Sequence, residues 1–138
     1  MPGKLRLRAE DDEDLAVISA VVQDALLPVA DMTYLPDERR FAMVVNRFRW
    51  EAGQSGKERT LTGLCFSEVD GVKLSGFSKH ENDRILELLA MQAGDGCILI
   101  EFSGGARLRL EVARLLCHVE DIGEPWPTQW RPRHPENG

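Results

Sequence analysis

Cationic and aromatic side chains alternate over residues 47–50 of this chain. In a β-strand, Arg47 and Arg49 would share one face, because side chains alternate between the two faces. Phe48 and Trp50 would then share the other face. Such interleaving suits a phosphate group or single-stranded RNA, since arginines hold phosphates and aromatic rings stack on bases. On this interpretation, the candidate binding residues are Arg47, Arg49 and Trp50. The alternative is that both aromatic side chains face the core and both arginines are solvated.

Two more candidate binding residues, Trp126 and Trp130, lie among the four prolines found between residues 125 and 135. Prolines at this density prevent regular structure. Exposed indoles leave a large apolar area in water, so we expect this segment to be pinned to the body of the protein, with a partner-binding arm as the alternative. We therefore divide the chain into a globular domain, residues 1–123, and a Pro/Trp-rich tail, residues 124–138, packed on it.

The sequence contains none of the short motifs that mark nucleotide-binding loops, hydrolase nucleophiles or zinc-protease helices. Cys117 and His118 are adjacent, but neighbouring side chains on a strand point to opposite faces. The three cysteines, Cys65, Cys97 and Cys117, are odd in number and lie far apart, which argues against both a disulfide framework and a zinc site. We expect three buried structural thiols, no metal site, no cofactor and no catalytic residue.

Length, composition and charge narrow the class of protein. A chain of 138 residues with 43% hydrophobic residues fits one globular domain. No apolar run is long enough to cross a membrane, and the first residues lack the apolar core of a signal peptide, so we expect a cytoplasmic protein. The net charge of −6 disfavours binding to duplex nucleic acid.

One helix is predicted near the N-terminus, over residues 12–26. The acidic residues 10–14 can cap the helix and complement the positive end of its dipole. Apolar residues then follow at helical spacing until Pro28.

Most of the remaining chain reads as antiparallel strands. Gly104-Gly105 lies between two alternating runs, which predicts a hairpin that buries Leu108, Leu110 and Val112. Asp70-Gly71 predicts a second hairpin, between residues 60–69 and 72–77. The spacing over residues 113–120 fits a helix as well as a strand. The fold class is therefore α+β: one N-terminal amphipathic helix packed on about seven antiparallel strands, arranged as a sandwich or a partly closed barrel such as a pleckstrin-like one.

The segment from Ile100 to Val112, with Asp121-Ile122-Gly123-Glu124-Pro125-Trp126, resembles a bacterial family catalogued as domain of unknown function 2948. The resemblance extends over most of the chain and includes the acidic helix start and Phe48-Arg49-Trp50-Glu51. It implies no activity and no catalytic residue.

The expected function is a non-catalytic cytoplasmic binding or regulatory module that recognises a protein partner or an anionic ligand. The alternative is a small enzyme whose site is assembled from dispersed polar residues. A cavity with clustered charged groups would favour the enzyme, whereas a shallow apolar groove or an uncovered sheet edge would favour the module.

Overall fold

The structure is a computed structural model that describes residues 5–48, 58–122 and 126–127, with only the backbone of Glu58, Trp126 and Pro127. It contains one α-helix and eleven strands over these residues. Their bounds, in chain order, are β1 Arg6–Ala9, α1 Asp12–Val21, β2 Leu26–Pro28, β3 Met32–Leu35, β4 Arg40–Phe48, β5 Glu58–Phe66, β6 Val69–Ser75, β7 Ile85–Gly94, β8 Cys97–Phe102, β9 Arg107–Val112, β10 Cys117–Asp121 and β11 Trp126–Pro127.

All strand pairs are antiparallel, and the strands follow the order β1-β10-β5-β4-β2-β7-β8-β9-β6. Strand β3 adds to β4, and β11 adds to β5. The two ends of the order, β1 and β6, do not pair, so the described strands form an open sheet and not a closed barrel. Strand β2 joins a half made of β1, β10, β5 and β4 to a half made of β7, β8, β9 and β6.

The inward faces of both halves contribute to one hydrophobic core, as in a sandwich. Met43 and Leu64 come from the first half, and Ile98 and Leu110 come from the second. The α+β class and the predicted N-terminal helix are therefore confirmed, while the described residues form eleven strands where the sequence predicted about seven.

Helix α1 begins as predicted and ends earlier than predicted. The Asp11 side chain accepts a hydrogen bond of 2.8 Å from the backbone N–H of Asp14, and three acidic residues follow in the first turn. Asp24 then adopts a left-handed conformation with φ of 68°, and its N–H donates to the Leu88 carbonyl. The chain leaves the helix here because residues 26–28 pair with β4 and β7 as strand β2.

The hairpin predicted around Gly104-Gly105 is confirmed, with a loop that also includes Ser103. Both glycines have positive φ angles, 76° and 82°, which favour glycine. Leu108 and Leu110 are fully buried, and Val112 is half-buried against the core.

The hairpin predicted around Asp70-Gly71 is wrong. Strands β5 and β6 lie in different halves of the sheet, and the chain turns between them at Ser67 and Glu68, where Glu68 has a φ of 56°. Asp70 lies within β6 at a bulge opposite β9, and its carboxylate accepts hydrogen bonds of 2.7 and 3.1 Å from Arg39. The Asp-Gly pair, which is typical of a turn, therefore lies at a bulge, because a turn and a bulge both leave a residue out of the pairing between strands.

Residues 113–120, for which helix and strand were both open, supply most of strand β10, which lies between β1 and β5. Long-range pairing decides the conformation of this segment, since its apolar spacing fits either structure. Within the described ranges, no helix has the length and apolar character needed to span a membrane.

Candidate functional site

Arg47 lies on the inward face of β4 and has no exposed surface. Its guanidinium donates two hydrogen bonds to the Asp121 carboxylate, at 3.1 Å from Nε and 2.9 Å from Nη2. Nε also lies 3.0 Å from the Thr62 hydroxyl oxygen, and Nη1 donates to the Phe48 carbonyl at 2.9 Å. The expectation of a solvated arginine face is therefore wrong for Arg47, because a carboxylate from another strand pairs with it inside the protein.

Asp121 completes this buried cluster. Its carboxylate accepts a hydrogen bond of 2.6 Å from the Thr62 hydroxyl and one of 3.0 Å from the backbone N–H of Leu5. Burial by itself raises the pKa of the Asp121 carboxyl, but the hydrogen bonds from Arg47, Thr62 and Leu5 and the charge of Arg47 together hold that pKa below its ordinary value. The cluster joins Leu5, the residue before β1, to β4, β5 and β10, so its geometry is that of a structural ion pair.

A cation and an aromatic ring do meet on the outward face, but with a different arginine. The guanidinium carbon of Arg59 lies 3.8 Å from the centre of the Phe48 ring, a cation–π distance. Arg59 also donates to the Asn46 side chain at 2.6 Å and to its carbonyl at 3.0 Å. Sequence reasoning missed this pair because Phe48 and Arg59 become neighbours only through the register of β4 and β5.

The side chains of the other four predicted binding residues lie outside what the structure describes. Arg49, Trp50 and Trp130 lie outside the described residues. The backbone of Trp126 is described, and it lies opposite Arg59 in the pairing of β11 with β5. The packing of the tail on the domain stays a prediction.

The outward face of β4, β5 and β10 carries a shallow depression of about 260 Å³. Small or apolar residues supply most of its lining, and His118 and Glu120 supply its polar part. The lining residues are Ala42, Met43, Val44, Gly63, Leu64, Cys65, His118, Glu120 and Ile122. The sequence signal for it is the small residues Ala42 and Gly63 at outward strand positions, which leave the space open.

The three cysteines differ in their surroundings. Cys97 and Cys117 are buried as predicted, and burial, with a smaller contribution from Cys65, raises the pKa of the Cys117 thiol to about 12. Cys65 is only half-buried, on the outward face of β5, which corrects the expectation of three buried thiols. His118 is exposed while Cys117 is buried, so the adjacent thiol and imidazole point to opposite faces as predicted.

A second feature of the surface is the outer edge of β6. This strand is the last in the sheet order, and on its outward face Lys73 lies directly opposite Arg109 of β9. Arg107 lies two residues before Arg109 on β9, on the same face, and is exposed. Glu111 lies 2.6 Å from Arg109 and 3.9 Å from Lys73, and Glu101 of β8 lies directly opposite Arg107.

The described residues hold no group of three or more metal-ligating side chains that could bind a metal ion. Comparison with known proteins gives one result. The model of the family described as "Protein of unknown function (DUF2948)" matches residues 5–134. No curated protein and no solved structure matches the chain.

Proposed function

The chain belongs to the DUF2948 family, whose description states no activity, and we propose that it is a non-catalytic binding module that recognises an extended acidic segment of a protein partner. The outer edge of β6 is the binding surface. The observation that carries this proposal is the outer side of β6, which pairs with no described strand, with Lys73 on β6 and Arg107 and Arg109 on the neighbouring β9.

From Gly71 to Ser75, no strand of the described residues pairs with the outer edge of β6. At its start, the strand is held by the Arg39 carbonyl, which accepts from the Val69 N–H at 2.9 Å, and by the bidentate contact of Arg39 with Asp70. Beyond the bulge, β9 is the one strand of the described residues that pairs with β6. An edge strand directs alternate N–H and C=O groups away from its neighbour, and an extended peptide satisfies them by adding a strand.

The charges beside this edge select an acidic partner. Lys73 and Arg109 are like charges in directly opposed positions, an arrangement that costs stability in the free protein. Glu111 and Glu101 supply two negative charges against the three positive charges of Lys73, Arg107 and Arg109, so one positive charge is left uncompensated. Acidic side chains on an added strand would lie next to Lys73 and reduce this repulsion, whereas basic side chains would increase it.

The bulge and Lys73 also restrict the choice of partner. Natural sheets use bulges and lysines at edges to prevent pairing with other sheets. A neutral apolar strand would therefore leave the Lys73 charge without compensation. Discrimination against such strands makes the edge selective for acidic segments.

The alternative of a small enzyme receives less support from the described residues. The Arg47–Asp121 pair is buried and out of reach of a substrate, and the depression on the outward face is mostly apolar. A shallow apolar depression and an open edge are the features that favour a binding module.

We place the module in the cytoplasm. All three cysteines are free thiols, which suits a reducing compartment. The net charge of −6 argues against binding to duplex nucleic acid, so we interpret Lys73, Arg107 and Arg109 as a local recognition feature on a chain of overall negative charge.

Fluorescence anisotropy with a labelled peptide of alternating glutamate and valine tests the proposal. We expect saturable binding that weakens with salt. In Lys73→Glu we expect a loss of affinity of about tenfold, since a cross-strand charge pair contributes up to about 1 kcal/mol and the reversed charge replaces that attraction with a repulsion of similar size. Arg6→Glu is the matched control, because Arg6 is an exposed cation on β1, the strand at the opposite end of the sheet.

Two further peptides separate strand addition from charge attraction alone. A lysine–valine peptide should bind much more weakly than the glutamate–valine peptide. A glutamate–valine peptide that is N-methylated at every residue keeps its charge but cannot donate to the edge, and it should also bind weakly. Equal binding of the N-methylated peptide, or an equal loss of affinity in Arg6→Glu, would contradict recognition at the β6 edge.

A further inference from the structure

The depression on the outward face of β4, β5 and β10 holds a thiol and an imidazole that the proposed function does not use. Cys65 of β5 and His118 of β10 are direct partners in the antiparallel register. Directly opposed side chains share a face, with Cβ atoms roughly 5 Å apart. Both side chains line the same depression, so a molecule in it would contact the two groups together.

Cys65 differs from the other two thiols in its access to solvent. Cys97 and Cys117 are buried, while Cys65 is half-buried and faces outward. Thiol reactivity needs both access and the thiolate form. Burial keeps the Cys117 thiol protonated, because it raises the pKa to about 12.

The space beside Cys65 is kept open by its neighbours. Ala42 lies directly opposite Cys65 on β4, and Gly63 lies two residues before it on β5. A Cβ atom added to Gly63 would lie 3.8 Å from both the Glu120 carbonyl oxygen and Ile122, so a larger side chain there would occupy the depression. The volume of about 260 Å³ suits part of a small molecule and not a folded domain.

We propose that Cys65 is a thiol-modification site, at which a small disulfide such as oxidised glutathione forms a mixed disulfide with the protein. His118 accepts the thiol proton, and the Cys65 thiolate attacks one sulfur of the disulfide. The S–S bond of the small molecule breaks as the new S–S bond forms, and the departing thiolate takes up a proton. The disulfide is the oxidant, and the exchange is reversed by excess thiol.

The proposal is independent of peptide binding at β6, since Cys65 and Lys73 lie in different halves of the sheet. Its test is incubation of the full native chain with oxidised glutathione, followed by peptide mapping by mass spectrometry. We expect a single mixed disulfide per chain, on Cys65, that is removed by reduced glutathione. The Cys65→Ser variant should take up none while it keeps the melting temperature of the wild type.

Two histidine variants test the role of the imidazole. His118→Gln keeps a polar side chain that cannot accept the proton, and we expect its modification rate constant at neutral pH to fall by about threefold to tenfold. His80→Gln is the matched control, because His80 is an exposed histidine in the loop before β7, and its rate should equal that of the wild type. Modification on Cys97 or Cys117 of the native chain would overturn the site, and an unchanged rate in His118→Gln would overturn the role of the imidazole.

Discussion

The inward faces of the two halves of the sheet differ in what they bury. Strands β8 and β9 bury apolar side chains, among them Ile98, Ile100, Phe102, Leu108 and Leu110. Strands β4, β5 and β10 bury apolar residues along most of their length, but they also bury Arg47, Thr60, Thr62 and Asp121 at one end. A buried charge is tolerated only when it is paired and hydrogen-bonded, which the Arg47–Asp121 contacts achieve.

The outward faces show the opposite distribution. The outward face of β6 and β9 carries Lys73, Arg107, Arg109 and Glu111, as expected for a solvated sheet surface. The outward face of β4, β5 and β10 instead carries small and apolar residues around the depression. The half with β6 and β9 therefore has the usual arrangement of apolar residues inward and charged residues outward. In the half with β4, β5 and β10, this arrangement is partly reversed.

The comparison indicates different roles for the two inward faces. Apolar burial in β8 and β9 stabilises the fold in proportion to area. The buried ion pair adds little net stability over apolar residues of similar size, but it penalises any register that separates the two charges. We infer that the pair between Arg47 and Asp121 selects the pairing of β4, β5 and β10.

Removal of one member of the ion pair should have the largest effect. Asp121→Ala leaves the Arg47 charge buried without its carboxylate, and we expect a loss of about 3–5 kcal/mol in the free energy of unfolding. The double variant Arg47→Met, Asp121→Leu should recover most of that loss, because it removes both charges. Urea denaturation measures both variants, and similar losses in the single and double variants would contradict a paired buried charge.

Truncation of a side chain in the apolar half should cause the next largest loss in the free energy of unfolding. Leu110→Ala creates a cavity at a fully buried position, and we expect a loss of about 2–5 kcal/mol. Arg109→Ala is the control from the same strand, since its side chain is 44% exposed, and it should leave the urea midpoint nearly unchanged. Equal shifts in the two variants would mean that β9 presents the other face to the core.

The ion pair should also make the free energy of unfolding depend on pH in the acidic range. The folded-state pKa of Asp121 is lowered, so its stabilising contribution is present above the unfolded pKa of about 4 and is lost as the pH falls through the folded pKa. We expect the wild type to lose stability below about pH 4 more steeply than Asp121→Asn does. Urea denaturation between pH 7 and pH 3 measures this difference, and parallel curves would exclude Asp121 as the cause.

The smallest expected effect is on the outward apolar face. Ile122 is 53% exposed at the rim of the depression, so Ile122→Ser should change the free energy of unfolding by less than about 0.5 kcal/mol. The same change should lower the fluorescence of a hydrophobic dye bound to the native protein. Unchanged dye fluorescence would show that this face does not present an apolar surface.

Local patterns in the sequence determined several parts of this protein. The acidic start of α1, the alternation in β9 and the glycines of its hairpin identify helix, strand and turn, because each depends on residues within a few positions of one another. The same reasoning identified the burial of Leu108 and Leu110 and the opposite orientations of Cys117 and His118.

Tertiary structure decided which strands pair and therefore which residues meet. Arg47 and Asp121 are 74 residues apart, and nothing local distinguishes Arg47 from a solvated arginine. Asp70-Gly71 has the composition of a turn, but the contacts of β6 with Arg39 and β9 make it a bulge. Cys65 and His118 became neighbours in the same way, through the register of β5 and β10. The physical reason is that local propensities differ by about 1 kcal/mol or less, whereas long-range pairing and burial contribute more and select among the local alternatives.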